Sequence, residues 1–256
     1  MLNMIKSELY KTARRPYVYL VVGITCLLIL FIVLLFYFSN YSFSAGDRTY
    51  YEHIASMLLQ VLSIGVYFVA PITDAVFSEE YKHQTMKNTL SFGMPRSSYY
   101  LGKLFTQLIV AIISMAVIFA ITLGGAWVLL GVSDGAGAAQ ITQLVLGRML
   151  LALPLWIGAL CISNFLAFLI KSSTLYAILY VLLFALVAPL IQVLGMSLSP
   201  VFTQIHEWLI MPQFGMLTGA ETLQNMDIIR CVVVGLGHGL VATLLGLMIF
   251  RKKEIK

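Results

Sequence analysis

The amino-acid sequence predicts an all-α membrane protein with six transmembrane helices and both termini in the cytoplasm. Three observations support this fold class. The 256 residues are 60% hydrophobic and only 11% charged, whereas a soluble domain carries about 25% charged residues. The apolar residues form long continuous runs, and the basic residues cluster in alternate connections between those runs. Too few polar groups remain to cover a water-exposed surface, so the solvent is lipid.

The six predicted spans follow from length. A helix rises 1.5 Å per residue, so a hydrocarbon core of about 30 Å requires about 20 apolar residues. The runs that satisfy this are residues 17–38, 54–77, 104–130, 144–170, 175–194 and 228–250. Transmembrane strands would be about 10 residues long with alternating polarity. The continuous runs therefore predict helices.

The basic residues predict the orientation. Four Lys or Arg residues lie in the N-terminal segment, four in the second connection, one in the fourth and four in the C-terminal tail, which makes 13 of the 16. The positive-inside rule places that side in the cytoplasm. We expect the other three, Arg48, Arg148 and Arg230, to lie in loops or near span ends and to reach the headgroups. The net charge of +5 is explained by this distribution and does not indicate a nucleic-acid partner.

Residues 1–15 predict an amphipathic helix on the cytoplasmic membrane surface. One face is apolar, and basic side chains occupy the other faces near anionic lipid. Pro16 ends this helix and lets the chain turn into the first span. An unstructured basic flank is the alternative. The apolar face comprises Leu2, Ile5, Leu9 and Ala13.

Residues 78–103 are longer than a tight connection between two spans requires. Their first half predicts a short polar helix at residues 81–91, which Gly93 and Pro95 end. Residues 97–103 then lead directly into the next span. A polar helix held beneath two spans suits docking to a soluble cytoplasmic partner, and a solvated loop that only joins the spans is the alternative.

The connections on the outer side differ from each other. Residues 131–139 are short and Gly-rich, which predicts a flexible connection. Residues 196–227 are long and largely apolar, and a long loop without a function is uncommon. We expect short helices there that dip into the outer leaflet, with Trp208 at the interface.

The sequence lacks the common motifs of enzymes. Gly102-Lys103 is followed by Leu104, so no phosphate-binding loop is present, and His206-Glu207 has no second His at the spacing of a zinc protease. We expect no catalytic, metal or cofactor site in this chain. The three cysteines, Cys26, Cys161 and Cys231, lie in apolar runs and predict buried free thiols.

Two polar residues fall inside predicted spans. Asp74 lies near the cytoplasmic end of the second span, where water reaches it, and His238 lies among Gly235, Gly237 and Gly239. The glycines favour a close helix-packing face over a functional histidine. An intramembrane enzyme, in which Glu79, Glu80, Asp74 or His238 would be indispensable, is the least favoured alternative.

Two motifs resemble those of a known family. The opening Ile5-Lys6-Ser7-Glu8-Leu9-Tyr10-Lys11 is similar to the interfacial elbow helix of type-2 ABC exporter permeases. The run from Glu79-Glu80 through Thr85, Leu90, Pro95-Arg96-Ser97 and Gly102-Lys103 is similar to their loop between the second and third spans. The likeness extends to the short six-span permeases of antimicrobial-peptide immunity, bacitracin resistance and phenol-soluble-modulin export.

The resemblance implies three functional regions. The residues expected to dock on the ATPase subunit are Glu79, Glu80, Tyr81, Lys82, His83, Gln84, Thr85, Met86, Lys87, Asn88, Thr89 and Leu90. The residues expected in the elbow helix are Ile5, Lys6, Glu8, Leu9, Lys11, Arg14 and Arg15. The residues expected to gate the pathway on the outer side are Phe202, His206, Trp208 and Phe214.

The resemblance also implies a function and partners. Two permease copies, identical or closely related, would each bind one ATPase subunit, which holds ATP and Mg²⁺, in a bacterial plasma membrane. The expected substrate is an amphipathic or antimicrobial peptide that is exported. A lipid-linked substrate, or a sensing role, is the alternative.

Overall fold

A computed structural model describes residues 2–42, 48–83, 85–219 and 223–252, with all side chains in those ranges except those of residues 78–85, 87 and 88. These residues form α-helices and no strand. The helices are α1 (Leu2–Ala13), α2 (Pro16–Ser39), α3 (Tyr51–Gln60), α4 (Ile64–His83), α5 (Thr85–Ser91), α6 (Arg96–Leu130), α7 (Gly135–Leu169), α8 (Ser173–Ser197), α9 (Pro200–Glu207), α10 (Ile210–Gly219) and α11 (Asn225–Lys252).

The helix ends gather at two ends of the bundle. At one end, which we call the basal end, α1 packs on α6, and Arg96 of α6 donates hydrogen bonds to the Phe250 and Arg251 carbonyls at the end of α11. At the opposite end, the Tyr51 amide bonds to the Gly131 carbonyl at 3.0 Å. The N-terminal helix and the last helical turn of the described chain therefore lie at the same end.

Five helices, namely α2, α6, α7, α8 and α11, are long and apolar enough to cross a bilayer, and the bent pair of α3 and α4 would be a sixth. That pair starts at the opposite end, beside Gly131. It reaches the basal end, where Arg15 donates a hydrogen bond to the Ala75 carbonyl. All six predicted spans thus correspond to helical segments that run between the two ends, but the second is not one continuous helix.

The bend between α3 and α4 is 72°, and residues 61–63 separate the two helices. A break in a membrane helix frees backbone carbonyls that lipid cannot satisfy. The Trp156 indole N–H donates to the Leu62 carbonyl at 3.2 Å, and the Tyr180 hydroxyl donates to the Val66 carbonyl at 2.9 Å. Trp156 of α7 therefore stabilises the break, and Tyr180 of α8 holds the first turn of α4 that follows it.

The closest helix pair is α7 with α11, where glycines bring the two backbones into contact. A Cβ atom on Gly235 would collide with the Pro154 backbone, and one on Gly158 would collide with the Gly235 carbonyl. Gly239 lies against Cys161 in the same interface. A Cβ on Gly237 would meet nothing within 4 Å. The predicted packing face is thus confirmed for Gly235 and Gly239, but Gly237 does not take part.

Two predictions about the opposite end were wrong. Residues 135–139 belong to α7 and are not a flexible connection, because the Asp134 carboxylate caps that helix by accepting from the Ala136 and Gly137 amides. Arg148 was expected to reach the headgroups, but its side chain is enclosed by the bundle. It lies within α7 and is 5% exposed.

The burial of the long helices is uneven. Of its 24 residues, α2 buries Cys26 and Val33, and α8 buries only Tyr176, Tyr180, Phe184 and Ala188. In contrast, α7 buries side chains along its whole length. Cys26, Cys161 and Cys231 are buried and free, which confirms the prediction for them. The helix α7 is therefore the centre of the bundle, and α2 and α8 present broad apolar faces outward.

Candidate functional site at the basal end

A short helix connects two long helices at the basal end. The helix α4 extends to His83 and is followed by α5, and Gly93 then adopts a positive φ of 85°. Pro95 precedes the first residue of α6 and lacks the backbone N–H that would continue a preceding helix. The predicted end at Gly93 and Pro95 is present. Of the helix predicted at residues 81–91, residues 81–83 end α4 and residues 85–91 form α5, and residue 84 lies outside the described residues.

Beneath this connection lies a buried ion pair. The Lys103 ammonium of α6 is 0% exposed and bonds to the Glu8 carboxylate of α1. It also donates to the Val76 carbonyl of α4 at 3.0 Å. The second Glu8 oxygen accepts from Lys11, 2.7 Å away. One ammonium group therefore joins three helices, and removal of either partner would leave a buried charge.

Two opposing effects act on the Glu8 carboxyl. Burial raises its pKa, but the charges and hydrogen bonds of Lys103 and Lys11 lower it, and the net pKa lies below the ordinary value of 4.5. Glu8 is therefore ionised at neutral pH. In the sequence pattern Glu8 falls on the polar side of an amphipathic helix. In the structure its side chain points into the protein.

Next to the ion pair, buried polar side chains form a chain of hydrogen bonds across α4, α6, α7 and α8. Thr73 donates to Gln107 at 3.1 Å, and the Gln107 amide donates to Asn164 at 2.9 Å. Ser163 donates to Thr73 at 2.8 Å and also bonds to the Tyr176 hydroxyl. Such a network fixes the relative positions of its helices, because each group would be costly to leave unsatisfied.

An aromatic cluster completes the basal end. Phe168 of α7 is central, with Phe77 of α4, Tyr100 of α6 and Phe250 of α11 at ring-centroid distances of 4.8, 4.6 and 4.6 Å. A Cβ on Gly246 would collide with the Tyr100 ring, so a larger residue there would displace that ring. The two helices that flank α5 are thus held firmly to the rest of the bundle.

Most of the residues predicted to dock on a partner fall in the segment whose side chains are not described. These are Glu79, Glu80, Tyr81, Lys82, His83, Gln84, Thr85, Lys87 and Asn88. Of the others, Met86 is buried in the core, and Thr89 and Leu90 are partly buried. These three side chains support the segment from within.

Phe92 was missed by the sequence reasoning. It follows α5 directly, and 91% of its side chain is exposed. Together with Asn3, Met4 and Met94 it borders a depression of about 600 Å³ between α1 and the start of α6. The sequence did contain a signal for this exposed side chain, because Phe92 is a large apolar residue directly before the Gly-Met-Pro that ends a polar segment.

The predicted elbow residues divide between two faces of α1. Met4, Glu8 and Thr12 form a buried stripe, whereas Leu2, Lys6, Lys11 and Arg14 are exposed. Ile5, Leu9 and Arg15 are intermediate in exposure. The face of α1 that packs against the bundle therefore differs from the apolar face predicted from the sequence. That apolar face remains available to lipid.

The predicted gate residues do not form one cluster. In α9 and just after it, Phe202 and His206 are partly exposed and Trp208 is 51% exposed. Phe214 of α10 is 1% exposed and packs against Trp156, with ring centroids 6.2 Å apart. The short helices expected in residues 196–227 are present as α9 and α10. Phe214 anchors α10 to the core.

A groove of about 420 Å³ opens between α4, α6 and α7, and every described residue that lines it is apolar. Among the described residues, no group of three His, Cys, Asp or Glu side chains lies close enough to hold a metal ion. The Asp74 carboxylate accepts a hydrogen bond from Ser173 at the start of α8. His238 bonds through Nδ1 to the Val234 carbonyl.

The comparison with protein families decides the class of this molecule. A model described as ABC-2 family transporter protein matches residues 4–188, more than two thirds of the chain. The chain belongs to the ABC-2 transporter family. No curated protein matches it.

Membership in the ABC-2 family indicates which kind of partner this protein works with. An ABC-2 permease is the transmembrane component of an ABC transporter and works with an ABC ATPase subunit. The matched residues of this ABC-2 permease include most of α1, the whole of α5, the Glu8–Lys103 pair and the buried polar network. They end in α8, before α9 and α10.

Proposed function

We propose that this ABC-2 permease exports amphipathic peptides with energy from a separate ATPase, and that residues 79–92 form the docking surface for that ATPase. The peptide substrate and the direction of transport rest on the resemblance of the sequence to short exporter permeases, and one observation carries the docking part of the proposal. The short helix α5 stands between two long helices at the basal end, with Phe92 exposed beside it and a buried ion pair behind it. An exposed aromatic side chain on a rigid support is a typical anchor of a protein interface.

The basal network supplies a route for mechanical coupling. A force on α5 acts on α4 and α6, because these helices flank it. Lys103 joins both of them to α1 through the Val76 carbonyl and Glu8. The polar chain from Thr73 to Tyr176 extends the connection to α7 and α8. Movement at α5 would therefore be passed to α4 and α6, and from them to α1, α7 and α8.

The proposed assembly contains two permease copies and two ATPase subunits in a bacterial plasma membrane. The outward faces of α2 and α8 bury few of their own residues, so a second copy would find large apolar faces on both. The proposed outer gate consists of α9 and α10, with Trp208 as its most exposed aromatic residue.

The test of docking uses the permease co-purified with its ATPase. Charge reversal at Lys82 and Lys87, or deletion of residues 81–91, should abolish complex formation and the coupling of ATP hydrolysis to substrate. Charge reversal at Lys171, which lies in the α7–α8 connection at the same end, serves as the control. Full complex formation and full coupling in the Lys82 and Lys87 variants would refute the assigned role.

A lipid-linked substrate is the second candidate, and the groove between α4, α6 and α7 favours it. Its lining of only apolar residues, such as Phe68, Ile112 and Leu150, suits an acyl chain. ATPase stimulation measured with a series of peptides and a series of lipids separates the two candidates. Stimulation by lipids alone would replace the peptide proposal.

A further inference from the structure

A second cavity lies near the outer gate and contains a histidine. It has a volume of about 220 Å³ and is lined mainly by α8, α10 and α11, with Phe184, Ala188, Ile210, Met211 and His238 among its walls. Of the described residues that line it, only His238 is polar. The cavity therefore offers an apolar space with one polar side chain.

The position of His238 makes it unusual. It lies midway along α11, about 20 Å from either end at 1.5 Å per residue. A polar side chain at that depth in a bilayer is costly and by default indicates a function. Packing does not explain it, because the α7–α11 contact is made by Gly235 and Gly239.

The hydrogen bond of His238 determines what the ring can offer to a ligand. Its Nδ1 lies 2.8 Å from the Val234 carbonyl oxygen. A carbonyl oxygen only accepts, so Nδ1 carries the proton and donates. In the neutral ring Nε2 is then an acceptor, and it has no hydrogen-bond partner among the described residues. The side chain thus presents an acceptor that a ligand with an N–H or O–H group would satisfy.

The volume and the walls favour an aromatic ring. An apolar cavity of about 150 Å³ holds benzene, so about 220 Å³ suits a ring of indole or phenol size. Phe184 supplies an aromatic neighbour, and the Met211 sulfur is a favourable contact for a ring. Tryptophan and tyrosine side chains combine such a ring with one hydrogen-bond donor.

We infer that this cavity binds a tryptophan or tyrosine side chain of the transported peptide, whose ring N–H or O–H donates to Nε2 of His238. The inference rests on the proposed function, because it requires a peptide substrate. Ile210 and Met211 of α10 form part of the cavity wall, so a bound ring contacts one of the two helices that make the proposed outer gate.

The test measures binding of two peptides that differ in one donor. The probes are fluorescein-labelled amphipathic helices of Leu and Lys with a single tryptophan, in which the indole is either unmodified or methylated on nitrogen. Methylation keeps the ring and removes the N–H. Fluorescence anisotropy with the detergent-solubilised permease–ATPase complex should show roughly tenfold tighter binding of the unmodified peptide.

Two variants test whether the preference for the unmodified peptide depends on His238. His238→Leu should abolish the preference for the unmodified peptide, whereas His238→Gln keeps an acceptor oxygen and should retain part of it. Equal binding of both peptides to the wild-type complex would overturn the inference, as would a full preference in a folded His238→Leu complex. If neither peptide binds the wild-type complex, the peptide-substrate proposal itself fails, which is a distinguishable result.

Discussion

The two ends of this ABC-2 permease use charge in different ways. At the basal end the Glu8–Lys103 pair is buried, with side-chain exposures of 5% and 0%. At the opposite end the Glu207–Arg230 pair lies at 3.4 Å with exposures of 51% and 34%. The first pair joins α1 to α6, and the second joins the end of α9 to α11.

Most of the other contacts follow the same division, and the buried Arg148 and Gln213 of the opposite end are exceptions. The basal end adds the buried network from Thr73 to Tyr176 and the aromatic cluster around Phe168. The opposite end relies on exposed bonds, such as those from the Ser133 and Asp134 amides to Glu52. We propose that the basal end is the stiffer of the two and that the short helices of the opposite end rearrange at lower cost.

The largest effect is expected for Lys103→Met. The substitution leaves the Glu8 carboxylate buried without its main partner, and breaking a buried pair costs about 3–5 kcal/mol. The thermal unfolding midpoint of the detergent-solubilised permease should fall strongly. Lys11→Met is the matched control, because Lys11 bonds to the same carboxylate but its side chain is 49% exposed. A midpoint close to that of wild type for Lys103→Met would contradict a structural role for the pair.

The same pair predicts a pH dependence with a defined sign. The pKa of Glu8 is lower in the folded protein than its ordinary value, so its contribution is present above that value and is lost as the pH falls through the folded pKa. Glu8→Gln should therefore be less stable than wild type from neutral pH down to about pH 5. The two melting curves should converge in stronger acid. A constant difference throughout would show that the charge of Glu8 is not responsible.

An intermediate effect is expected at the α7–α11 contact between the two ends. Gly235→Ala places a Cβ against the Pro154 backbone, and such overpacking costs about 1–3 kcal/mol. Gly237→Ala on the same helix meets nothing within 4 Å and should unfold like wild type. Equal midpoints for the two variants would mean that the backbones are not in contact there.

The smallest effect is expected for Arg230→Gln. The exposed pair with Glu207 should contribute at most about 1 kcal/mol, and less at high salt. The unfolding midpoint should change little in comparison with Lys103→Met. A loss as large as that of Lys103→Met would remove the distinction between the two ends.

The sequence was sufficient to predict the spans, because each span depends on a local excess of apolar residues. The bend at residues 61–63 could not be predicted, since no Pro or Gly lies at the break. The Leu62 carbonyl at the break accepts from Trp156, and the Val66 carbonyl in the first turn of α4 accepts from Tyr180, and both donors are distant in sequence. Arg148 was predicted to lie near a span end because the apolar run begins only at residue 144, whereas α7 already begins at Gly135.

The candidate site was predicted only in part. The segment with α5 was recognised from its length and its turn residues. The Glu8–Lys103 pair was not, because the two residues are 95 positions apart and each belongs to a different local pattern. Phe92 was overlooked because its exposure depends on the turn at Gly93. Long-range pairing and side-chain exposure are properties of the packed bundle.

The central claim is that the basal connection docks on the ATPase, and labelling of Phe92→Cys tests it most directly. Background reaction should be low, because Cys26, Cys161 and Cys231 are buried. In inverted membrane vesicles a membrane-impermeant maleimide should react readily with the permease alone and much more slowly once the ATPase is bound. The residue should not react in intact cells. Equal rates with and without the ATPase, or labelling from outside intact cells, would contradict the account.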